Sequence, residues 1–375
     1  MASESIEGAA EKALVIGGGI AGITSALDLA NQGHEVYLIE RRTSIGGRMA
    51  QLDKTFPTLD CSICILAPKM VEVARHPRIH LLTFSEVKKV EAKEEGKYYE
   101  VTVVQNPRYV DAEKCTGCGI CVQNCPSKTV PDEFDEGMGE RKAINIPFPQ
   151  AVPRVANIDA KLCLKLKDGK CGVCAKKCPV QCIKYDDKPK ETVIAVRSII
   201  VATGYDTMEP KLLDRFGRGD FKNVISSMQY ERLLTASGPT GGVVRRPSDG
   251  KEPKRIGMVL CAGSRNTKVK EYCSKICCVY STKNALLTIE HAPGSQVTIF
   301  YNDLRVAGKG HEEFLNRAAQ QPLISYVPSL PGNVEEEPDG SLTVSYVDAR
   351  TDKVIYTTFD LLVLYTPIIP SKNSG

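Results

Sequence analysis

The residues with the plainest chemistry are Cys115, Cys118, Cys121 and Cys125, in the run Cys115-Thr-Gly-Cys118-Gly-Ile-Cys121-Val-Gln-Asn-Cys125-Pro126. This C-x2-C-x2-C-x3-C-P spacing suits bacterial ferredoxin-type [4Fe–4S] clusters. The short gaps let one tight turn aim three thiolates at one cube, while the fourth serves a second cube. A second run is available: Cys163, then seven residues, then Cys171-Gly-Val-Cys174-Ala-Lys-Lys-Cys178-Pro179. Exchange of the fourth ligands assigns Cys115, Cys118, Cys121 and Cys178 to one cluster. Cys125, Cys163, Cys171 and Cys174 go to the other, with Cys163 displaced by the widened gap. Cys182 is surplus and reads as a small buried hydrophobe.

Two further groups of cysteines stand apart. Cys261, Cys273, Cys277 and Cys278 fall within 18 residues at C-x11-C-x3-C-C. Bunching this tight reads as an additional cluster, with structural or redox thiols as the alternative. Cys61 and Cys64 form an isolated C-x2-C with no second pair at metal spacing. A redox dithiol, a ligand lent to another subunit's cluster and plain buried cysteine are all open there, and the last is slightly favoured.

These groups need elements to hold them. Ala13–Ile16 reads as a buried strand, Gly17-Gly-Gly19-Ile20-Ala21-Gly22 as G-x-G-x-x-G, and Ile23, Ala26, Leu27 and Ala30 as one helix face. Gly33 ends that helix, and Glu35–Glu40 is the second strand. Glycines let backbone N–H groups approach a pyrophosphate at the helix N-terminus, where the dipole favours anions. Glu40, 18 residues after Gly22, is placed to hold ribose hydroxyls. Residues 79–90 and 97–105 alternate as strands do. Residues 210–252 read as loop-rich. A second strand–turn–helix unit starts at Lys254–Leu260, but runs into Cys261 where a nicotinamide-binding loop would carry glycines. Its helix is expected over Val279–Glu290, followed by a strand at Gln296–Phe300 and a helix from His311 to Gln321. A hairpin over 341–357 and a last buried strand at Leu361–Tyr365 complete it. His311 reads as a solvated helix residue.

Composition sets the bounds. The chain has 375 residues, 42% hydrophobic and 25% charged, enough for two or three domains. A net charge of +4 is too mild to imply nucleic acid or an anionic membrane surface. No apolar run reaches the roughly 18–20 residues of a membrane span. Met1–Lys12 has no signal-peptide core, so the fifteen cysteines are expected in a reducing, cytoplasmic setting. No Ser–His–Asp triad, Walker loop or zinc-hydrolase helix is recognisable.

Glu40-Arg41-Arg-Thr-Ser-Ile-Gly46-Gly47-Arg48 resembles the acid-then-Gly-Gly pattern of two-dinucleotide-domain flavoproteins. Ser198-Ile-Ile-Val-Ala202-Thr203-Gly204 resembles their flavin-side strand, so the resemblance points to FAD rather than NAD. Asp60-Cys-Ser-Ile-Cys64, the ferredoxin insert, Pro147-Phe-Pro-Gln-Ala-Val-Pro153 and Cys261…Cys277-Cys278-Val-Tyr-Ser-Thr-Lys283 together resemble the flavin-bearing A subunit of heterodisulfide reductase. The resemblance spans residues 13–370 and implies an α/β, thioredoxin-reductase-like fold of two dinucleotide-binding domains. Into it an α+β ferredoxin-like two-cluster domain is inserted. It implies FAD contacts from Gly17, Gly18, Gly19, Ile20, Ala21, Gly22, Glu40, Arg41, Gly47, Arg48, Val87, Ala202, Thr203 and Gly204. It also implies a third [4Fe–4S] cluster at Cys261–Cys278, and Lys283 beside the flavin N5 edge.

The domain boundaries that follow are a disordered 1–12, FAD-binding segments at 13–106 and 191–252, and the insert at 107–190. The second Rossmann-like domain takes 253–360, and a truncated return to the FAD domain takes 361–375. Longer members of the family carry further cluster domains at both ends, so a short or truncated member is expected here. In methanogenic members the flavin splits electron pairs between ferredoxin and the coenzyme M–coenzyme B disulfide on a partner subunit. Expected partners are disulfide-reducing and cluster-carrying subunits, a hydrogenase- or formate-dehydrogenase-type donor, ferredoxin and a second copy in a homodimer. The alternative is a non-catalytic wiring or docking subunit of a sulfur-oxidising or quinone-interacting complex. A glutamate-synthase-like NAD(P)H reductase is weakened by the missing second glycine loop.

Overall fold

The computed structural model describes residues 12–208, 213, 216, 217 and 219–371. Most of the expected disordered N-terminus, and the last four residues of the expected return, lie outside the described residues.

The chain opens with β1 (Lys12–Ile16), α1 (Ile20–Asn31) and β2 (Glu35–Glu40). Ala13, Leu14 and Val15 are all buried, because a parallel strand covered on both faces needs a continuous apolar run. α1 buries Ile23, Ala26, Leu27 and Ala30, and Gly33 at φ +99 turns the chain out of it. Then come α2 (Ser62–Arg75), β3 (Ile79–Thr83), β4 (Ser85–Lys93) and β5 (Tyr98–Gln105). The expected strand over 79–90 is two strands: Phe84 takes φ +56 and sends β3 and β4 into different sheets.

The insert follows, with α3 (Ile120–Gln123), β6 (Val130–Pro131), β7 (Glu140–Arg141), β8 (Ile144–Asn145), β9 (Asn157–Ile158), α4 (Leu164–Asp168) and α5 (Val173–Lys177). The chain returns through β10 (Lys190–Val196), β11 (Ser198–Val201) and β12 (Tyr205–Thr207). β10 pairs antiparallel with β5, with Lys190 opposite Gln105, so the insert leaves and re-enters on adjacent strand ends. β11-β1-β2-β3 is a parallel sheet and β10-β5-β4 an antiparallel one beside it.

The second unit repeats this plan. Its elements are β13 (Val224–Ser226), α6 (Ser227–Leu234), β14 (Arg255–Val259), α7 (Cys277–His291), β15 (Gln296–Phe300), α8 (His311–Ala319) and β16 (Ile324–Val327). β17 (Asn333–Glu336), β18 (Leu342–Asp348), β19 (Lys353–Phe359), β20 (Leu361–Leu364) and β21 (Ile368–Pro370) complete it. β13-β20-β14-β15-β16 is a parallel sheet and β17-β18-β19 an antiparallel one. Leu361, Leu362, Val363 and Leu364 are all 0% exposed. Truncating one of these leucines to alanine costs about 2–5 kcal/mol.

Two boundaries move. β13 and α6, expected in the FAD segment 191–252, belong to the second unit, because Val224–Ser226 pairs with Leu362–Leu364. Residues 361–364, expected in the return, are a buried strand of that same sheet. The chain then crosses back, since β21 pairs antiparallel with β12 just after Gly204. His311 is not simply solvated: its ring packs edge-on against Phe56 with centroids 5.6 Å apart.

Candidate flavin and iron–sulfur centres

Backbone builds the dinucleotide site. Gly19 precedes α1 with no side-chain cap, so the first-turn N–H groups face outward for an anion. A Cβ on Gly22 would lie 1.8 Å from the Gly17 carbonyl oxygen, and one on Gly17 2.3 Å from that of Ala202. The Ala202-Thr203-Gly204 segment therefore lies against the first glycine turn. The Gly46 N–H donates to the Gly18 carbonyl at 2.7 Å, and a Cβ on Gly47 would lie 2.8 Å from the Gly19 Cα. Two glycine turns thus face each other as a narrow cradle that side chains would fill, which fits a pyrophosphate. Glu40 Oε2 accepts the Gly18 N–H at 2.7 Å, and Oε1 accepts the Arg42 N–H at 2.8 Å. Both oxygens are tied to the loop, so this carboxylate positions the cradle. Arg41 reaches Asp206 at 3.4 Å, and Arg48 reaches Glu136 of the insert. Val87 packs beside the core of Leu14 and Ile39, at an irregularity in β4.

The proline-rich segment of the insert seats it on this cradle. Ser44 Oγ accepts the Val152 N–H at 2.8 Å, and the Ile45 N–H donates to the Val152 carbonyl at 3.0 Å. Phe148 and Ala151 enter the core of the flavin unit, and Phe148 stacks on Phe134 at 4.6 Å. A second clamp holds residues 134–136. Gln51 Nε2 donates to the Phe134 carbonyl at 2.7 Å, and Arg232 Nε to Asp135 at 3.0 Å.

The insert holds two cavities lined by cysteine. One gathers Cys115, Cys118, Cys121, Cys178 and Cys182, with Gly117 and Gly119 in its wall. The other gathers Cys125, Cys163, Cys171 and Cys174. Cys178 thus lies with Cys115, Cys118 and Cys121 of the first run, and Cys125 with Cys163, Cys171 and Cys174 of the second. Among the described residues no three or more His, Cys, Asp or Glu converge on a single metal ion. A cube makes no such demand, because each of its four thiolates binds a different iron. Burial first, then the nearby Cys115 thiol, pushes Cys121 up to about 11. Cluster loading therefore has to displace protons.

Comparison with known proteins follows the same division. Residues 15–70 match a family of NAD(P)-binding Rossmann-like domains, and residues 108–129 a 4Fe-4S binding domain. Over 365 residues the chain is 47% identical to the A subunit of the H(2):CoB-CoM heterodisulfide,ferredoxin reductase of Methanothermobacter marburgensis, covering 97% of this chain and 54% of that one. It is 47% identical over 363 residues to the iron-sulfur A subunit of the CoB--CoM heterodisulfide reductase of Methanocaldococcus jannaschii, covering 96% and 54%. The chain belongs to the family of heterodisulfide reductase A subunits. It spans about half the length of these curated relatives. A thioredoxin reductase from Lactococcus lactis aligns at a TM-score of 0.49 with 14% identity, covering 96% of this chain and 78% of that one.

In this heterodisulfide reductase family member the second glycine loop is replaced by cysteines. Cys261, at φ +54, lies two residues past β14, and Cys277 and Cys278 open α7. The Arg305 N–H donates to Cys278 Sγ at 3.3 Å. Burial, followed by the thiols of Cys278, Cys261 and Cys273, pushes Cys277 up to about 12, so the four thiols share one neighbourhood.

Lys283 is not a solvated helix lysine. It lies inside α7, 1% exposed, ion-paired to Glu231 and donating to the Lys54 carbonyl at 3.1 Å. Glu231 and Arg232 sit on α6, in a stretch read as loop. The available signal was Ser226-x-x-Gln229, a capping box with both reciprocal bonds formed. Cys61 and Cys64 are not plain buried cysteines either, for they form a disulfide and Cys64 is exposed. Cys182 is buried as expected, but its Sγ lies 3.4 Å from Cys178 Sγ.

Proposed function

We propose that this chain is the electron hub of a heterodisulfide-reductase-type complex, with FAD in the glycine cradle and [4Fe–4S] clusters at the three cysteine sets. Electrons from a hydrogenase- or formate-dehydrogenase-type donor are split between ferredoxin and a disulfide-reducing partner subunit in the cytoplasm. When bound, flavin takes or gives electrons in pairs or singly, and each cube carries one at a time.

The observation that carries this reading is the seating of the two-cavity insert on the flavin cradle. Ser44 and Ile45 bond Val152, and the next residues are Gly46 and Gly47. The chain's own groups set distance and field. The insert is held from the flavin unit by Gln51 and from the second unit by Arg232. Lys283 supplies a buried positive charge beside this junction, suited to stabilise an anionic, reduced flavin.

Iron and FAD per chain on one anaerobically purified sample test the assignment. The expected result is about twelve irons and one flavin, at four irons per cube. About eight irons would remove the Cys261–Cys278 cluster. Full iron without flavin would favour a wiring subunit. Lys283→Ala should lower the flavin potential, and an unchanged potential would remove Lys283 from the flavin's surroundings.

A further inference from the structure

Twelve of the fifteen cysteines belong to the three cluster sets, leaving Cys61, Cys64 and Cys182. Of these, Cys61 and Cys64 are bonded to each other at the start of α2, a helix of 14 residues. Neither lines the cysteine cavities of the insert.

The two sulfurs have unequal settings. Cys64 is exposed, whereas Cys61 is half-buried at the N-cap, where its Sγ accepts the Cys64 N–H at 3.3 Å. No acidic residue occupies the first turn. Backbone N–H groups and the helix dipole there favour a thiolate. The loop that presents the pair is held firmly. Lys54 bridges Cys61, the Ser62 N–H donates to the Asp53 carbonyl at 3.0 Å, and the Thr55 N–H donates to the Asp60 carbonyl at 2.8 Å. Between the cysteines Ser62 is fully buried, and among the described residues neither its hydroxyl nor Asp53 Oδ2 on the facing segment has a hydrogen-bond partner. Polar groups left unpaired beside an exposed disulfide suit a site that handles protons and charge rather than a plain staple.

We propose that Cys61 and Cys64 are a redox-active pair that exchanges two electrons with an external dithiol or its disulfide. One thiolate of the dithiol attacks the exposed Cys64 Sγ. The Cys61–Cys64 bond breaks, a mixed disulfide forms at Cys64, and Cys61 leaves as a thiolate held by the Cys64 N–H. The second thiol of the external molecule then attacks its own sulfur in the mixed disulfide and releases Cys64. The external dithiol is oxidised to a disulfide, and its two protons end on Cys61 and Cys64. The reverse sequence reduces a disulfide. In the first step the leaving group is Cys61, the sulfur that the Cys64 N–H and the helix N-terminus stabilise as a thiolate.

The test uses the full, cluster-loaded chain under anaerobic conditions, equilibrated with mixtures of reduced and oxidised dithiothreitol. After acid quenching and alkylation, mass spectrometry of the peptide holding residues 61–64 counts free thiols. The expected result is that both thiols appear together, reversibly, over about a hundredfold change in the reduced-to-oxidised ratio, as a one-for-one exchange demands. Cys61→Ser, which keeps an N-cap oxygen, should trap oxidised glutathione as a mixed disulfide at position 64 with iron content unchanged. A pair that stays bonded at every ratio is a structural staple and overturns the proposal. So does loss of iron in Cys61→Ser, which would make the cysteines cluster ligands. The wild-type titration decides the matter even where a variant fails to fold.

Discussion

Lys283 on α7 and Glu231 on α6 are ion-paired with both side chains almost fully buried, 1% and 0% exposed. Glu231 also accepts the Asp53 N–H at 3.2 Å, and Lys283 donates to the Lys54 carbonyl at 3.1 Å. The pair therefore ties the second unit to the flavin unit. Removing one partner of a buried pair strands the other charge. Glu231→Gln or Lys283→Met should each cost about 3–5 kcal/mol in urea unfolding, and the double variant less than their sum. Full additivity would mean the two do not interact.

The same pair sets a pH dependence. Burial outweighs Glu231 and holds the Lys283 ammonium below the ordinary lysine range. At a pH between the lowered folded value and the unfolded one, the unfolded chain binds more protons, so stability rises with pH in that window. Lys283→Met should remove that rise from the pH–stability curve; an unchanged curve would show that Lys283 keeps an ordinary affinity.

The crossed ligand sets are testable by iron content. Cys125→Ser should empty the cavity of Cys163, Cys171 and Cys174, with a loss of about four irons. Adding Cys171→Ser should remove no more, whereas adding Cys118→Ser should raise the loss to about eight. Ligation within each run would reverse the two double variants.

Cys182 stands beside the set of Cys115, Cys118, Cys121 and Cys178. Its Sγ lies 3.4 Å from Cys178 Sγ, and its N–H donates to the same sulfur at 3.4 Å. Hydrogen bonds to cluster sulfurs raise a cube's potential. Cys182→Ala should lower the potential of one cluster in an EPR-monitored titration, and Cys182→Ser should restore part of it. Equal potentials in all three proteins would return Cys182 to a packing role.

The glycine cradle separates shape from flexibility. Gly22→Ala would put a methyl 1.8 Å from the Gly17 carbonyl oxygen, so flavin binding should be lost. Gly33, at φ +99 with nothing within 4 Å of an added methyl, is the control. Gly33→Ala should cost about 1–2 kcal/mol for its left-handed backbone and keep the flavin. Flavin retained in Gly22→Ala would place the dinucleotide elsewhere.

Much of this was legible in one dimension. Short-range spacing encodes local geometry, so the strand–glycine–helix unit at 12–40 and the two ferredoxin runs could be read from neighbouring residues alone. β2 and β15 fall where the periodicity puts them, because a buried parallel strand is a contiguous apolar run. What could not be read depends on residues brought together from far apart. Glu231 and Arg232 look like surface charges on a short polar stretch, since nothing nearby in sequence announces Lys283, Asp135 or Gln51 as partners. Phe84 breaks an alternating run because β3 and β4 must enter different sheets. Val224–Ser226 changes units because its pairing partner, Leu362–Leu364, lies more than a hundred residues away. The sequence by itself determined which cofactors this chain can hold, through the types and spacing of its ligands. The tertiary structure alone decided how those sites are placed against one another, because burial and charge pairing across domains depend on distances that no local pattern carries.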